Sequence, residues 1–184
     1  MLPILEETPS TFFFKTRRKI ELFGIVNEEI TSEGSIQTNF VIDECFKIKK
    51  DANSIISMLD FYLKEKIVPG TSLILYTDNC PGQNKNYFVL GYLIYLVKIK
   101  KRYKEVELYF MIVGHIKFSP DAHFGMIKKK LQQAKCQSIC DLIGENGLIQ
   151  ASSSSNRAIC YKEFNSQIPN FRWYDWKAFI AVSV

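Results

Sequence analysis

The sequence predicts a single α/β domain in which a mixed sheet is flanked by helices. Strand-like and helix-like patterns alternate in the order strand, strand, helix, strand, helix, strand, helix. The run 72–78 is short and nearly continuously apolar, as expected for a central strand that is buried on both faces. A length of 184 residues with 47% apolar content suffices for one hydrophobic core. We therefore expect one domain over residues 1–184.

The first half of this domain consists of a predicted strand pair and a helix. Residues 1–11 have no periodic pattern and are interpreted as an irregular lead-in. The runs 19–29 and 35–44 are strand-like, and the polar residues between them indicate a hairpin. Apolar residues recur at helical spacing over 52–66. Asp51, Asn53 or Ser54 can cap that helix, and Pro69 with Gly70 ends it.

The second half begins with the apolar strand 72–78 and a polar, glycine-bearing turn. A long helical pattern from residue 87 becomes basic at its end, and a further strand is predicted over 105–116. Ser119 and Pro120 are a typical helix start. Beyond residue 136 the patterns weaken. We interpret 137–184 as a C-terminal elaboration with a serine-rich loop and the aromatic segment 171–179.

Composition and charge narrow the functional classes. The mean hydropathy of −0.05 is ordinary for a globular chain. No apolar run is long enough to cross a membrane, and no secretory signal is visible. We therefore expect an intracellular protein. Five cysteines without a C-x-x-C pair indicate reduced thiols. The net charge of +5 suits a polyanionic partner, although a single basic run is commonly a solvated helix face. The basic runs are 15–19, 47–50, 98–104 and 128–130.

Two aspartates are the first candidates for chemistry. Asp78 ends the apolar strand, where a buried carboxylate must be paired, hydrogen-bonded or bound to a metal. An Asx turn, in which Asp78 bonds the backbone of the following turn, is an equally good interpretation. Asp121 lies in the first turn of a predicted helix, where the helix dipole alone favours an acid. Adjacent parallel strands would bring both carboxylates to one edge of the sheet.

The strings DNCPGQNKN (78–86) and GHIKFSPDAHFG (114–125) resemble the ribonuclease-H-like domain of transposon-derived proteins of the DUF7869 type. The resemblance covers roughly residues 10–180. It implies an α/β fold with a mixed sheet and a DDE or DDD nuclease centre, in which acids hold two divalent metals. The ancestral activity would be cleavage and strand transfer of DNA. Two such metals activate a water or hydroxyl and stabilise the leaving oxygen.

By this resemblance, Asp78 and Asp121 correspond to the acids of the fourth strand and of a late helix, and would bind Mg²⁺ or Mn²⁺. Glu44 resembles a further acid before the first helix, with the neighbouring Asp43 and a solvated loop carboxylate as alternatives. His115 and Asn79 are expected close to the metal ligands, with a hydrogen-bonded structural histidine at the end of a strand as the alternative for His115.

Nucleic-acid contacts are also implied. Gln83, Asn84 and Lys85 would face phosphate or flanking nucleotides, although turn formation and helix capping explain Gln83 and Asn84 equally well. Lys100, Lys101 and Arg102 belong to a basic run that suits DNA, or RNA as the other possible partner.

The sequence departs from the family pattern at the first strand. Upstream of residue 19 the acids are Glu6 and Glu7, and neither lies in an apolar strand, so the first strand is expected to be lacking and cleavage to be weak or absent. The alternative function is a non-catalytic nucleic-acid-binding or protein-interaction module using the basic runs and the aromatic segment. A nuclear location follows from the family and the basic clusters. No dinucleotide fingerprint, P-loop or nucleophile elbow supports a small-molecule enzyme.

Overall fold

The computed structural model describes residues 19–28, 36–44, 49–112, 119–133, 156–160 and 173–183. The chain divides into two compact units. Unit 1 comprises residues 1–47 and 116–169, and unit 2 comprises residues 48–115 and 170–184. The expectation of one domain over 1–184 stays a prediction. The α/β composition and the predicted order of the first seven elements are confirmed.

Unit 1 contains a three-stranded sheet. Strands β1 (Ile20–Asn27) and β2 (Ile36–Asp43) are antiparallel, with Ile20 opposite Asp43, which confirms the predicted pairing. Strand β5 (Asn156–Cys160) runs parallel to β2 on its other side, giving the order β1-β2-β5. Strand β5 is not predicted from the sequence, because five residues next to a serine-rich stretch give too short a pattern.

Helix α3 (Ser119–Gln133) packs on β1 at a glycine. A Cβ atom at Gly24 would lie 2.8 Å from Phe124 Cζ and 2.9 Å from Gln37 Nε2. Gly24 therefore leaves the room that the Phe124 ring and the Gln37 amide occupy. The helix begins at Ser119, as predicted.

The β2 strand carries a buried polar pair in unit 1. Gln37 and Asn39 are both 0% exposed, and Gln37 Nε2 donates to Asn39 Oδ1 over 2.6 Å. Within the described part of the chain, Gln37 Oε1 and Asn39 Nδ2 have no hydrogen-bond partner. An unsatisfied buried polar group costs about 1–3 kcal/mol. Strand β2 therefore buries two polar side chains beside the apolar Phe40, Val41 and Ile42.

Unit 2 contains a parallel strand pair. Strands β3 (Gly70–Thr77) and β4 (Tyr103–Phe110) run side by side, with Thr77 opposite Phe110. The Met111 N–H donates to Thr77 O over 2.9 Å, so both strands end at the same edge. The expectation that 72–78 is buried on both faces is wrong, because Ile74 and Tyr76 are exposed on one face of this two-stranded sheet.

The described part of unit 2 also contains three helices. Helix α1 (Ala52–Lys66) has the predicted bounds, and its N-cap Asp51 accepts from the Ser54 N–H over 3.3 Å. Helix α2 (Tyr87–Ile94) continues into a π-helical turn (Tyr95–Ile99). Lys101 then adopts a left-handed conformation, φ 51°, so the helix ends inside the basic run 98–104. Helix α4 (Trp176–Ser183) lies in the predicted C-terminal elaboration.

The three helices meet at Tyr92, which is fully buried. Its ring contacts Trp176 edge-on with 4.9 Å between centroids, and its hydroxyl donates to Asp60 Oδ1 over 3.1 Å. Burial and the neighbouring Asp60 carboxylate raise the pKa of Tyr92 well above its ordinary value. Tyr92 therefore stays protonated and remains a hydrogen-bond donor inside the helix cluster.

Polar contacts attach α4 to the start of α1. Asn53 Nδ2 donates to Asp175 Oδ1 over 3.0 Å, and the Lys177 N–H donates to Asn53 Oδ1 over 2.9 Å. Lys177 Nζ forms an ion pair with Asp51 Oδ2 at 2.7 Å. One asparagine side chain thus joins the N-termini of two helices that lie more than a hundred residues apart in sequence.

We predict that Gly91→Ala destabilises the protein. A Cβ atom at Gly91 would overlap Ile180 Cγ2, which is fixed close to the backbone of α4. The overlap must outweigh the gain of about 1 kcal/mol that alanine brings to a helix interior. We expect a net loss of about 1–2 kcal/mol in the free energy of unfolding, measured by urea denaturation.

Gly125→Ala is the matched control, because a Cβ atom at this helical glycine meets no atom within 4 Å. The control should be neutral or stabilising. Equal stability of the two variants would contradict the close approach of α2 and α4.

The Asp51–Lys177 ion pair predicts a loss of stability in acid. Partial burial acts to raise the pKa of Asp51, but the hydrogen bonds from Lys177 and from the Ser54 backbone, with the Lys177 charge, bring it below its ordinary value. Because the folded-state pKa lies below the unfolded value of about 3.9, the contribution is present above that pH and disappears as the pH falls through the folded-state pKa.

Asp51→Asn should therefore reduce the fall in melting temperature between about pH 5 and pH 3. Glu65→Gln, at an exposed carboxylate near the end of α1, is the control and should leave the pH profile unchanged. Identical acid profiles for the parent protein and Asp51→Asn would contradict the prediction.

Candidate functional site

Residues 78–86 form a compact polar turn between the end of β3 and the start of α2. The turn winds around one carbonyl oxygen, since Cys80 O accepts from the N–H groups of Gln83, Asn84 and Lys85 at 3.3, 2.9 and 2.9 Å. This polar turn coincides with the string DNCPGQNKN that the sequence analysis singled out. It lies at the edge where both parallel strands of unit 2 end.

Asp78 is an exposed carboxylate at the first position of the polar turn. Its Oδ1 accepts a short hydrogen bond from Asn84 Nδ2 and a second from the Cys80 N–H at 3.3 Å. The bond to Cys80 is the Asx turn that the sequence left open. Within the described residues, no hydrogen bond reaches the other oxygen, Oδ2. Asp78 is thus held by one oxygen while the other keeps its capacity to accept.

Asparagine side chains brace the polar turn from inside. Asn84 is buried at 9% exposure and its amide donates to Asp78. Asn86 is the N-cap of α2, because its Oδ1 accepts from the Phe88 and Val89 N–H groups at 3.1 Å each. The Asn86 amide also donates to Gln83 O over 3.0 Å. Asn84 therefore positions Asp78, and the capping function falls to Asn86, which the sequence analysis did not single out.

Three further residues of the polar turn remain accessible in part. Asn79 and Gln83 are half-buried, and Lys85 is exposed. Lys85 Nζ lies 5.3 Å from the centroid of the Phe110 ring, at the end of the neighbouring strand. A positive charge over that ring places a cation at the same sheet edge as Asp78.

The other predicted acids belong to unit 1. Asp121 is exposed in the first turn of α3, where it meets the helix dipole as anticipated. Glu44 is exposed after β2, and its N–H donates to Lys19 O over 3.2 Å, which extends the β1–β2 ladder. The buried acid at this position is the neighbouring Asp43, at 4% exposure. His115 lies outside the described residues.

A metal centre shared by Asp78 and Asp121 stays a prediction, because the two acids belong to different units. Among the described residues, no group of three or more His, Cys, Asp or Glu side chains is arranged to hold a metal ion. The exposed Asp78 nevertheless fits a Mg²⁺ or Mn²⁺ ligand, since Mg²⁺ commonly uses one or two carboxylates with water and substrate phosphate.

The basic run after α2 divides into solvated and structural cations. Arg102 Nη2 donates to Leu63 O over 2.5 Å and to Ile67 O over 2.6 Å, and so caps the C-terminus of α1. Lys100 and Lys101 are exposed. Of the three basic residues predicted to contact nucleic acid, Lys100 and Lys101 are therefore exposed, whereas Arg102 is bonded to the end of α1.

The aromatic segment also divides between core and surface. Trp176 is buried at 6% exposure against Tyr92, while Tyr174 is 50% exposed. Trp173 is half-buried, and Phe171 lies outside the described residues.

Within the described ranges, no helix combines the length and the apolar character that a membrane crossing requires.

Comparison with known proteins gives a family assignment. No curated protein and no solved structure matches the chain. The family profile described as Domain of unknown function (DUF7869) matches residues 15–181, which include the polar turn and all strands and helices of both units except the last residues of α4. Over these residues the chain belongs to the DUF7869 family.

Proposed function

We propose that this chain is a transposase-derived nucleic-acid-processing domain whose polar turn provides a divalent-metal ligand. The observation that carries the proposal is the state of Asp78: one oxygen is held by Asn84 and Cys80, and the other accepts nothing from the described residues. A carboxylate held in this way at the carboxyl end of a parallel strand is suited to bind a ligand at the sheet edge.

The residues of the polar turn have separable functions in this proposal. Mg²⁺ or Mn²⁺ bound here would supply activation of a water or hydroxyl for attack on a phosphodiester. Asp78 contributes a hard oxygen donor, and Asn84 fixes its orientation. Lys85 supplies a positive charge to which a phosphate oxygen can bind. Asp121 is the second metal-binding acid by resemblance to the family motif.

Cleavage by this chain is expected to be weak or absent. The resemblance implies a further acid on an early strand, and the pattern around Glu6 and Glu7 does not predict such a strand. A two-metal centre that lacks a carboxylate binds at least one ion poorly. A nuclear location and DNA as the substrate belong to the same proposal, with RNA as the other possible substrate.

A second candidate function is non-catalytic nucleic-acid binding. The observation that favours it is the row of exposed lysines that follows α2, formed by Lys98, Lys100, Lys101 and Lys104. Such a row neutralises phosphates irrespective of base sequence, and the binding weakens as salt rises. In this case the Asp78 hydrogen bonds would serve only to hold the turn.

The metal proposal predicts that Mn²⁺ raises the melting temperature of the parent protein and that Asp78→Asn abolishes the rise. A ligand that binds only the folded state stabilises it by about 2.7 kcal/mol at one hundred times its dissociation constant. Asp121→Asn should also abolish or reduce the rise if both acids bind the metal. The measurement is thermal unfolding over a Mn²⁺ titration.

Glu105→Gln is the matched control, because Glu105 is an exposed carboxylate on β4 in the same unit. The control should retain the full rise. A cooperatively unfolding parent protein whose melting temperature does not respond to Mn²⁺ would refute the metal site and favour the second candidate.

Fluorescence anisotropy with labelled DNA separates the two functions. Lys100→Glu combined with Lys101→Glu should weaken binding and lower its salt dependence, because two phosphate contacts are lost. Asp78→Asn should leave binding without metal unchanged. Metal-dependent nicking that is lost in Asp78→Asn would establish the first candidate, and absence of binding to both DNA and RNA would refute both.

A further inference from the structure

The outer face of α2 carries an exposed apolar row, which we call the α2 stripe. It consists of Tyr87, Leu90 and Ile94, with exposed fractions of 66%, 47% and 48%. The spacing i, i+3, i+7 places these side chains along one face of the helix. The opposite face is buried in the helix cluster through Val89, Tyr92, Leu93 and Leu96. Helix α2 is therefore apolar on two opposite faces.

An apolar outer face is unusual for a helix at a protein surface. Single exposed apolar residues need no explanation, but a contiguous row indicates an interaction site. A helix that is hydrophobic all round is normally buried. The α2 stripe has the geometry by which an amphipathic helix docks, since it offers anchor positions over two turns.

The charges at the two ends of the α2 stripe have the same sign. Lys85 precedes α2, and Lys98 and Lys100 follow the stripe at the π-helical turn. All three lysines are exposed. The sequence from 79 to 104 contains no Asp or Glu, so no acid offsets these cations along the segment. The surface is thus an apolar row between two positive ends.

This combination selects the partner. We propose that the α2 stripe binds an amphipathic helical segment of a partner protein whose apolar row is flanked by acidic residues. Apolar anchors on the segment would cover Leu90 and Ile94, and its acids would meet Lys85 and Lys98.

Two other occupants fit the same surface less well. A second copy of the chain would bring lysines against lysines in a parallel pairing and Lys85 near Lys98 in an antiparallel one, which repels. Single-stranded nucleic acid would meet the lysines favourably, but Tyr87 is the one member of the stripe with a ring on which a base can stack, and Leu90 and Ile94 would be left without a matching contact. The acidic amphipathic segment satisfies both the apolar row and the charges.

The test uses a designed, fluorescein-labelled helical peptide with leucines at i, i+3 and i+7 and glutamates at both ends. The parent protein should bind it in an anisotropy titration. Leu90→Glu and Ile94→Glu should each weaken binding by about tenfold or more, because each buries a charge against the peptide leucines. Val68→Glu is the matched control, since Val68 is 83% exposed elsewhere in unit 2, and it should bind like the parent.

The charges are tested separately. Lys98→Glu combined with Lys100→Glu should weaken binding of the acidic peptide and strengthen binding of a version with lysines in place of the glutamates. A peptide with serines in place of the leucines should bind neither protein. Thermal unfolding verifies that each variant is folded, as expected for substitutions at exposed positions.

Four outcomes would overturn the proposal. The first two are failure of the folded parent to bind the acidic peptide and binding that Leu90→Glu leaves unchanged. The third is a dimer in sedimentation velocity that Leu90→Glu dissociates. The fourth is loss of DNA binding in Leu90→Glu, which would assign the α2 stripe to nucleic acid. The Mn²⁺ response is independent of these measurements, so failure here leaves the metal proposal untouched.

Discussion

The burial of Tyr92 between α1, α2 and α4 is the contact on which unit 2 depends. Its ring fills the junction of three helices, and its hydroxyl satisfies Asp60 on α1. The close approach of α4 requires a glycine at the adjacent position 91. Because one face of α2 packs against α1 and α4, the position of its N-terminus and the direction of its outer face are set as well. The polar turn begins where α2 begins, and the α2 stripe is the surface that the helix cluster leaves uncovered.

In the polar turn, the structural motif and the proposed metal ligand would use different oxygens of one carboxylate. An Asx turn and a metal ligand were alternative interpretations of Asp78 in the sequence. The two functions would use different oxygens of its carboxylate, and so they are compatible. Oδ1 satisfies the turn and accepts from Asn84, whereas Oδ2 retains its acceptor capacity. A hydrogen bond to one oxygen restricts rotation of the carboxylate. The bonds that hold the turn would therefore also orient a metal ligand.

The region after α2 shows why a basic run is ambiguous as a functional signal. Arg102 and the lysines beside it are consecutive in sequence, yet the arginine bonds two carbonyls at the end of α1 while the lysines lie in solvent. Arginine presents several fixed donors and suits carbonyl groups at a helix end, whereas lysine is readily solvated. Only the solvated cations contribute to the positive end of the α2 stripe or to a polyanion surface.

Local patterns by themselves determined the order of the first seven elements, the bounds of α1 and the antiparallel pairing of β1 with β2. They also gave three candidate caps for α1, of which the structure uses Asp51. These features depend on periodicity and on capping between neighbours in sequence, which are visible along the chain. The string 78–86 was likewise recognisable as a candidate site, and the match to DUF7869 confirms the family part of that resemblance.

Tertiary structure alone decided which polar groups are used and which surfaces stay open. Asn84 is buried against Asp78, Gln37 and Asn39 lie inside unit 1, and Ile74 and Tyr76 are exposed although their strand looked like a buried one. Burial depends on what packs against a residue from distant parts of the chain, and a helix or strand pattern does not specify that neighbour. Local patterns thus specified the first seven elements, while the exposure of Asp78 and of the α2 stripe arose from packing.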